Sequence, residues 1–75
     1  MKKQLTIQLS KAEGALVRLL GLVERRGYSA TYLMASPTEH DVFQIEMTVE
    51  SQRPISKLVH QIDKLYDVKN VEKRQ

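Results

Sequence analysis

The two histidines, three of the serines and two of the aspartates are the first side chains to weigh for chemistry. A histidine works as a base or a metal ligand only when a partner fixes its ring and its proton. His40 falls in a polar loop and His60 on the polar side of a predicted helix, and neither belongs to a set of ligands at metal-binding spacing. Ser10, Ser29 and Ser51 lack the strand–turn–helix setting of a nucleophile elbow. Asp63 and Asp67, placed on the second predicted helix, read as charge partners for Lys64 and its neighbours rather than as an acid–base pair. The glycines stand singly at 14, 21 and 27, so there is no glycine-rich phosphate loop. Catalysis by this chain itself is not expected, and neither a metal nor a cofactor is.

Binding is better supported. The turn Ser10–Ala15 leads into an amphipathic segment, and a helix start offers backbone N–H groups and a favourable dipole to a carboxylate. Gly14, without a side chain, would let a ligand approach the main chain. The plainer alternative is that Gly14 only relieves crowding between helix and sheet, and the residues alone leave both open.

The elements that would hold this turn follow from changes of period. Gln4–Leu9 alternates, with Leu5, Ile7 and Leu9 on one face, as in a half-buried strand. From Ala12 to Arg26 the apolar residues Ala12, Ala15, Leu16, Leu19, Leu20 and Val23 recur at helical spacing, and Gly27 is placed as a left-handed C-terminal cap. The helix start is ambiguous: Ser10 and Glu13 have capping-box spacing, whereas Gly14 favours a loop lasting to Glu13. Gly27–Thr38 contains no charged side chain in a chain that is 28% charged. It reads as a strand of mixed parity, with a bulge near Thr31–Leu33 bringing Ala30 and Leu33 to the same side. Ser36–Asp41 is expected as a hairpin loop around Pro37. Asp41–Glu50 alternates cleanly through Phe43, Ile45, Met47 and Val49. Pro54 is expected at the first turn of a second helix striped by Ile55, Leu58, Val59, Ile62 and Leu65, and Val68–Lys73 closes the order as a short strand.

The predicted fold is therefore α+β, a ferredoxin-like βαββαβ arrangement in a single domain over residues 1–75, with two helices on one face of a four-stranded antiparallel sheet. That topology puts the neutral strand at a sheet edge, where charges normally prevent pairing with another chain. Seventy-five residues without cysteine bury a modest core with no disulfide to reinforce it, which also favours a partner. The net charge of +3 and pI near 9.4 come from basic residues distributed from Lys2 to Arg74. RNA-recognition domains share the topology but stack bases on aromatic residues of the central strands. Here those positions are Gln4, Thr6, Gln8, Gln44, Glu46, Thr48 and Glu50, so nucleic-acid binding is not expected. There is no apolar stretch of signal-peptide or membrane-spanning type, and a cytoplasmic location without membrane contact is the expectation.

The segment Gly14-Ala-Leu-Val-Arg-Leu-Leu-Gly-Leu-Val-Glu-Arg-Arg-Gly-Tyr28 resembles the first helix and following turn of ACT domains. With Tyr32-Leu33, Phe43–Val49 and Gln61–Val68, the likeness extends over nearly the whole chain and is closest to the small regulatory subunits of acetolactate synthase. The resemblance implies a non-catalytic subunit that binds and activates a large catalytic subunit in valine, leucine and isoleucine biosynthesis. Thiamine diphosphate, magnesium and FAD would belong to that large subunit and not to this chain. It also implies a homodimer joined through second strands, with Tyr28, Ala30, Thr31, Tyr32, Leu33 and Met34 at the seam, and a helix beginning near Gly14. The implied effector site, for a branched-chain amino acid, comprises Lys11, Glu13, Gly14, Ala15 and Ser29. Valine-responsive members carry asparagines at the positions of Lys11 and Ser29, so weak or absent valine response is expected. The sequence is also expected to lack the C-terminal domain of longer regulatory subunits, as in the short, valine-insensitive isozyme type. The alternative is a free-standing ACT domain that binds a small amino acid or helps another enzyme assemble.

Overall fold

The computed structural model describes residues 2–38 and 40–74. Alternation and helical periodicity convert into six elements: β1 (Lys2–Ser10), α1 (Ala15–Arg25), β2 (Ser29–Pro37), β3 (Val42–Glu50), α2 (Ile55–Asp63) and β4 (Val68–Lys73). The strands form one antiparallel sheet in the order β2-β3-β1-β4. This is the expected ferredoxin-like arrangement, with the neutral strand at an edge.

The core lies between the helices and one sheet face. Leu5, Ile7 and Leu9 of β1, Ile45, Met47 and Val49 of β3, Leu19 and Val23 of α1, and Leu58 and Ile62 of α2 are buried there. Each such side chain contributes about 1.5–3 kcal/mol by leaving water. The opposite face is polar, and its pairs are cross-linked. Thr6 sits opposite Glu46, and its hydroxyl donates to Glu46 Oε1 at 3.0 Å, while Gln44 Nε2 donates to Glu46 Oε2 at 3.2 Å.

The register of β2 on β3 shifts between Ala30 and Tyr32. Thr31 is the extra residue of the bulge, and its insertion brings Ala30 and Leu33 both to the core side. Glu24 of α1 accepts from the Ala30 N–H at 3.3 Å, tying the bulge to the helix above it. Tyr32 and Met34 consequently face outward, with the Tyr32 hydroxyl 3.8 Å from Met34 Sδ.

Three boundaries differ from the sequence expectation. β2 runs on through Pro37, which pairs with Phe43, so the loop begins only at Thr38. An edge strand tolerates proline where a central one does not. Pro54 is not inside α2 but caps it, with an extended ψ of 135°. The second helix ends at Asp63, and Leu65 reaches the core from a tighter turn in which its N–H donates to Ile62 O at 3.0 Å.

Candidate functional site

The segment between β1 and α1 is shaped by short-range bonds before any ligand is considered. Ser10 Oγ accepts from the Ala12 N–H at 3.2 Å, and the Ala15 N–H donates to Ala12 O at 3.1 Å. This Ser10 bond forms a local turn, not the capping box that Ser10 and Glu13 could have made. The chain then passes through Gly14 at φ 80° and enters α1 at Ala15. That conformation is left-handed, which a side chain disfavours. Among the described residues no side chain caps this helix start, so it retains the backbone character that suits a carboxylate.

Arg18 holds the turn from above. Its Nη2 donates to Glu13 O at 3.1 Å, and its Nε and Nη2 lie 2.8 and 2.7 Å from Asp67 Oδ2. The Asp67 side chain is 9% exposed and that of Arg18 51%. Asp67 also accepts the Ser10 N–H on its backbone oxygen at 2.8 Å. One residue therefore connects the end of β1, the start of α1 and the entry to β4. Asp67 is not on α2 and is not a partner of Lys64, as its sequence neighbourhood suggested. Its partner lies across the fold, which local spacing does not reveal. A Cβ on Gly14 would come within 2.9 Å of Arg18 Nη1, so glycine serves both the backbone angle and the closeness of the guanidinium.

The other expected effector residues divide. Ala15 is buried at the base of the helix, and Glu13 is exposed beside Gly14. The Lys11 N–H donates to Asp41 O at 3.2 Å, and its ammonium lies 5.5 Å from the centre of the Phe43 ring, a cation–π contact. The Lys11 charge is thus directed over the start of β3, one of the two central strands. Ser29 sits opposite Glu50, beyond the far end of α1, and within one protomer does not approach Gly14. An 11-residue helix separates them by about 16 Å.

At that far end, Gly27 has φ 88°, its N–H donates to Glu24 O, and the Tyr28 N–H donates to Val23 O, both at 3.1 Å. These paired bonds are a Schellman cap. Tyr28 then turns inward: it is buried, and its hydroxyl donates to Pro54 O at 2.6 Å. Of the residues expected at the seam, Tyr28 anchors the strand from the core and precedes it. Thr31, Tyr32 and Met34 are exposed on the edge strand, and Ala30 and Leu33 are half-buried.

Comparison with known proteins follows this geometry. The family model described as "ACT domain" matches residues 11–71. The chain is 34% identical over 74 residues to the acetolactate synthase small subunit of Buchnera aphidicola subsp. Schizaphis graminum, covering 95% of this chain and 46% of the relative. It is 31% identical to the acetolactate synthase isozyme 3 small subunit of Escherichia coli, covering 95% and 45%. The chain thus spans about half the length of the curated relatives it matches. Its fold is similar to the crystal structure of the acetolactate synthase small subunit from Thermotoga maritima, with TM-score 0.86 at 17% identity over 97% of this chain and 47% of that one. It is also similar to the ACT domain of the Chlorobium tepidum GTP pyrophosphokinase, with TM-score 0.82 at 12% identity over 99% and 97% of the two chains.

Proposed function

The chain belongs to the ACT domain family, and from that membership we propose that it is the regulatory, non-catalytic partner of an acetolactate synthase large subunit in branched-chain amino-acid biosynthesis. The observation that carries this reading is the extent of the likeness to acetolactate synthase small subunits, 31–34% identity over 95% of the chain. The chain acts in the cytoplasm by binding one state of the catalytic subunit more tightly than another, the requirement for any regulator that shifts activity.

In this reading the working unit is a homodimer. β2 is an edge strand of nine residues with no charge, the state in which a strand is free to pair with its copy. Antiparallel pairing about a twofold axis extends the sheet from four strands to eight. It also sets Ser29 of one copy towards the Gly14 turn of the other, assembling the effector residues that a single protomer keeps apart. Valine binds weakly or not at all. The Ala15 N–H already donates to Ala12 O, and Lys11 is donor-only towards an amino group and is directed at Phe43.

Co-expression with the acetolactate synthase large subunit of the same organism is the test. The large subunit is expected to co-purify and gain activity, with little change on adding valine. Failure of both co-purification and activation overturns the assignment. Strong valine inhibition leaves the partner standing and refutes the reading of Lys11 and Ser29.

A further inference from the structure

At the end of the molecule opposite the Gly14 turn, a groove of about 390 Å³ opens between the C-terminal end of α1 and the first turns of α2. Tyr28 and Leu58 form its apolar floor, and Arg26, Arg53, Lys57 and His60 stand around its rim. None of its lining residues is a carboxylate. Among the described residues the ion pairs are Lys2–Glu50 and Arg18–Asp67, so the three permanent cations at this groove have no acidic partner.

Neutral groups position the two arginines. Arg26 Nη2 donates to Gln61 Oε1 at 3.2 Å, leaving its charge uncompensated. Arg53 lies across Gly27 so closely that a Cβ there would collide with its Nε. The Arg53 backbone is fixed by its N–H to Ser51 Oγ at 3.0 Å, and Ser51 in turn donates to Gly27 O at 3.0 Å. Gathering like charges around one concavity costs stability through repulsion, while raising the local concentration of anions. Guanidinium forks suit the oxygen geometry of phosphate and carboxylate. The groove's volume is within the range of small-molecule sites, and its apolar floor suits the body of such a ligand.

We propose that this groove is a second ligand site, which takes a small molecule carrying a phosphate or carboxylate group. It is separate from the Gly14 turn, at the other end of α1, and does not depend on the identity of the catalytic partner.

The test is an amide-resolved NMR titration of the full chain with sodium pyrophosphate at low ionic strength. Sodium chloride at matched ionic strength and a polyglutamate peptide are run beside it. Pyrophosphate is expected to give saturable shifts at Gly27 and across Arg53–Lys57. Arg53→Gln is expected to weaken binding about tenfold, the loss of one charge-assisted contact. Lys57→Gln, on an exposed position of α2, weakens it several-fold, and Lys69→Gln on β4 leaves it unchanged. The dispersion of each spectrum reports folding directly, and if Arg53→Gln unfolds, Lys57→Gln decides alone. Shifts spread evenly over Lys2, Lys11 and Lys69, or unaltered by the groove variants, overturn the proposal. Saturable binding of polyglutamate while pyrophosphate stays inert overturns it equally, assigning the groove to an acidic polypeptide.

Discussion

Replacing Asp67 with Asn removes one charge from the pair that holds the Gly14 turn while keeping the size of the side chain. The carboxylate accepts Nε and Nη2 of Arg18 at 2.8 and 2.7 Å with 9% of its side chain exposed. Breaking a fully buried pair costs about 3–5 kcal/mol. Here the stranded Arg18 is half in water, so the loss falls to that of hydrogen bonds to a charged group, about 2 kcal/mol. For a domain of this size that lowers the midpoint of thermal unfolding by about 8–16 °C. Arg18→Met is the harsher change, about 3 kcal/mol, because it strands the buried partner rather than the exposed one. The double variant strands neither charge and is expected to cost no more than Arg18→Met alone. Thermal and urea unfolding followed by circular dichroism, at one fixed protein concentration, measure all three. Single-variant losses below about 0.5 kcal/mol, or losses that simply add in the double variant, would refute the reasoning.

Thr31→Lys puts a charge on the exposed bulge of the edge strand and is expected to move the protein from the proposed dimer to monomer in sedimentation, with its unfolding midpoint measured alongside. Leu33→Lys is a poorer probe, since Leu33 packs partly against the core and its loss confounds folding with association. Gly14→Ala forces a side chain into the left-handed region against Arg18 and is expected to cost about 1–2 kcal/mol in urea unfolding. Tyr28→Phe deletes the bond to Pro54 O from a buried ring and leaves that carbonyl short of a donor, at a cost of about 1 kcal/mol by the same measurement.

Most of the architecture was legible because it rests on period. The alternation of Leu5, Ile7 and Leu9, and of Ile45, Met47 and Val49, marks strands that are buried on one face. The mixed parity of Gly27–Thr38 correctly signalled a bulge, since only an inserted residue puts Ala30 and Leu33 on the core side together. Boundaries fared less well where a residue type has two permitted roles. Proline can open a helix or cap it, as Pro54 does, and can end an edge strand, as Pro37 does. Tyr28 looked like the opening residue of a strand, and its burial depends on a cap geometry that delivers it to Pro54. The Arg18–Asp67 pair and the basic groove were hidden for a simpler reason. Arg18 and Asp67 are 49 residues apart, and Arg26 is far in sequence from the local set Arg53, Lys57 and His60, so these groups meet only when α1, α2 and the turn before β4 are packed. The basic residues that looked merely distributed along the chain acquire a focus only in three dimensions.

The strand order has a consequence for synthesis. β1 leaves the ribosome first yet lies in the interior of the sheet, and its two neighbours, β3 and β4, are made much later. Once β3 has emerged, the nascent sheet β2-β3-β1 has two open edges, and that of β1 carries the apolar alternation of Leu5, Ile7 and Leu9. Residues 51–73 take about 1–5 s to translate, at ordinary elongation rates. During that interval a neighbouring nascent chain can pair at the wrong edge. β4 acts as a latch: it covers the flank of β1, down to the Arg74 N–H that donates to Gln4 O at 2.7 Å. The finished sheet then ends on β4, six residues carrying Lys69, Glu72 and Lys73, and on β2, nine residues without a charge. The strand delivered last thus replaces the bare flank of β1 with a charged edge and leaves β2 as the edge suited to assembly.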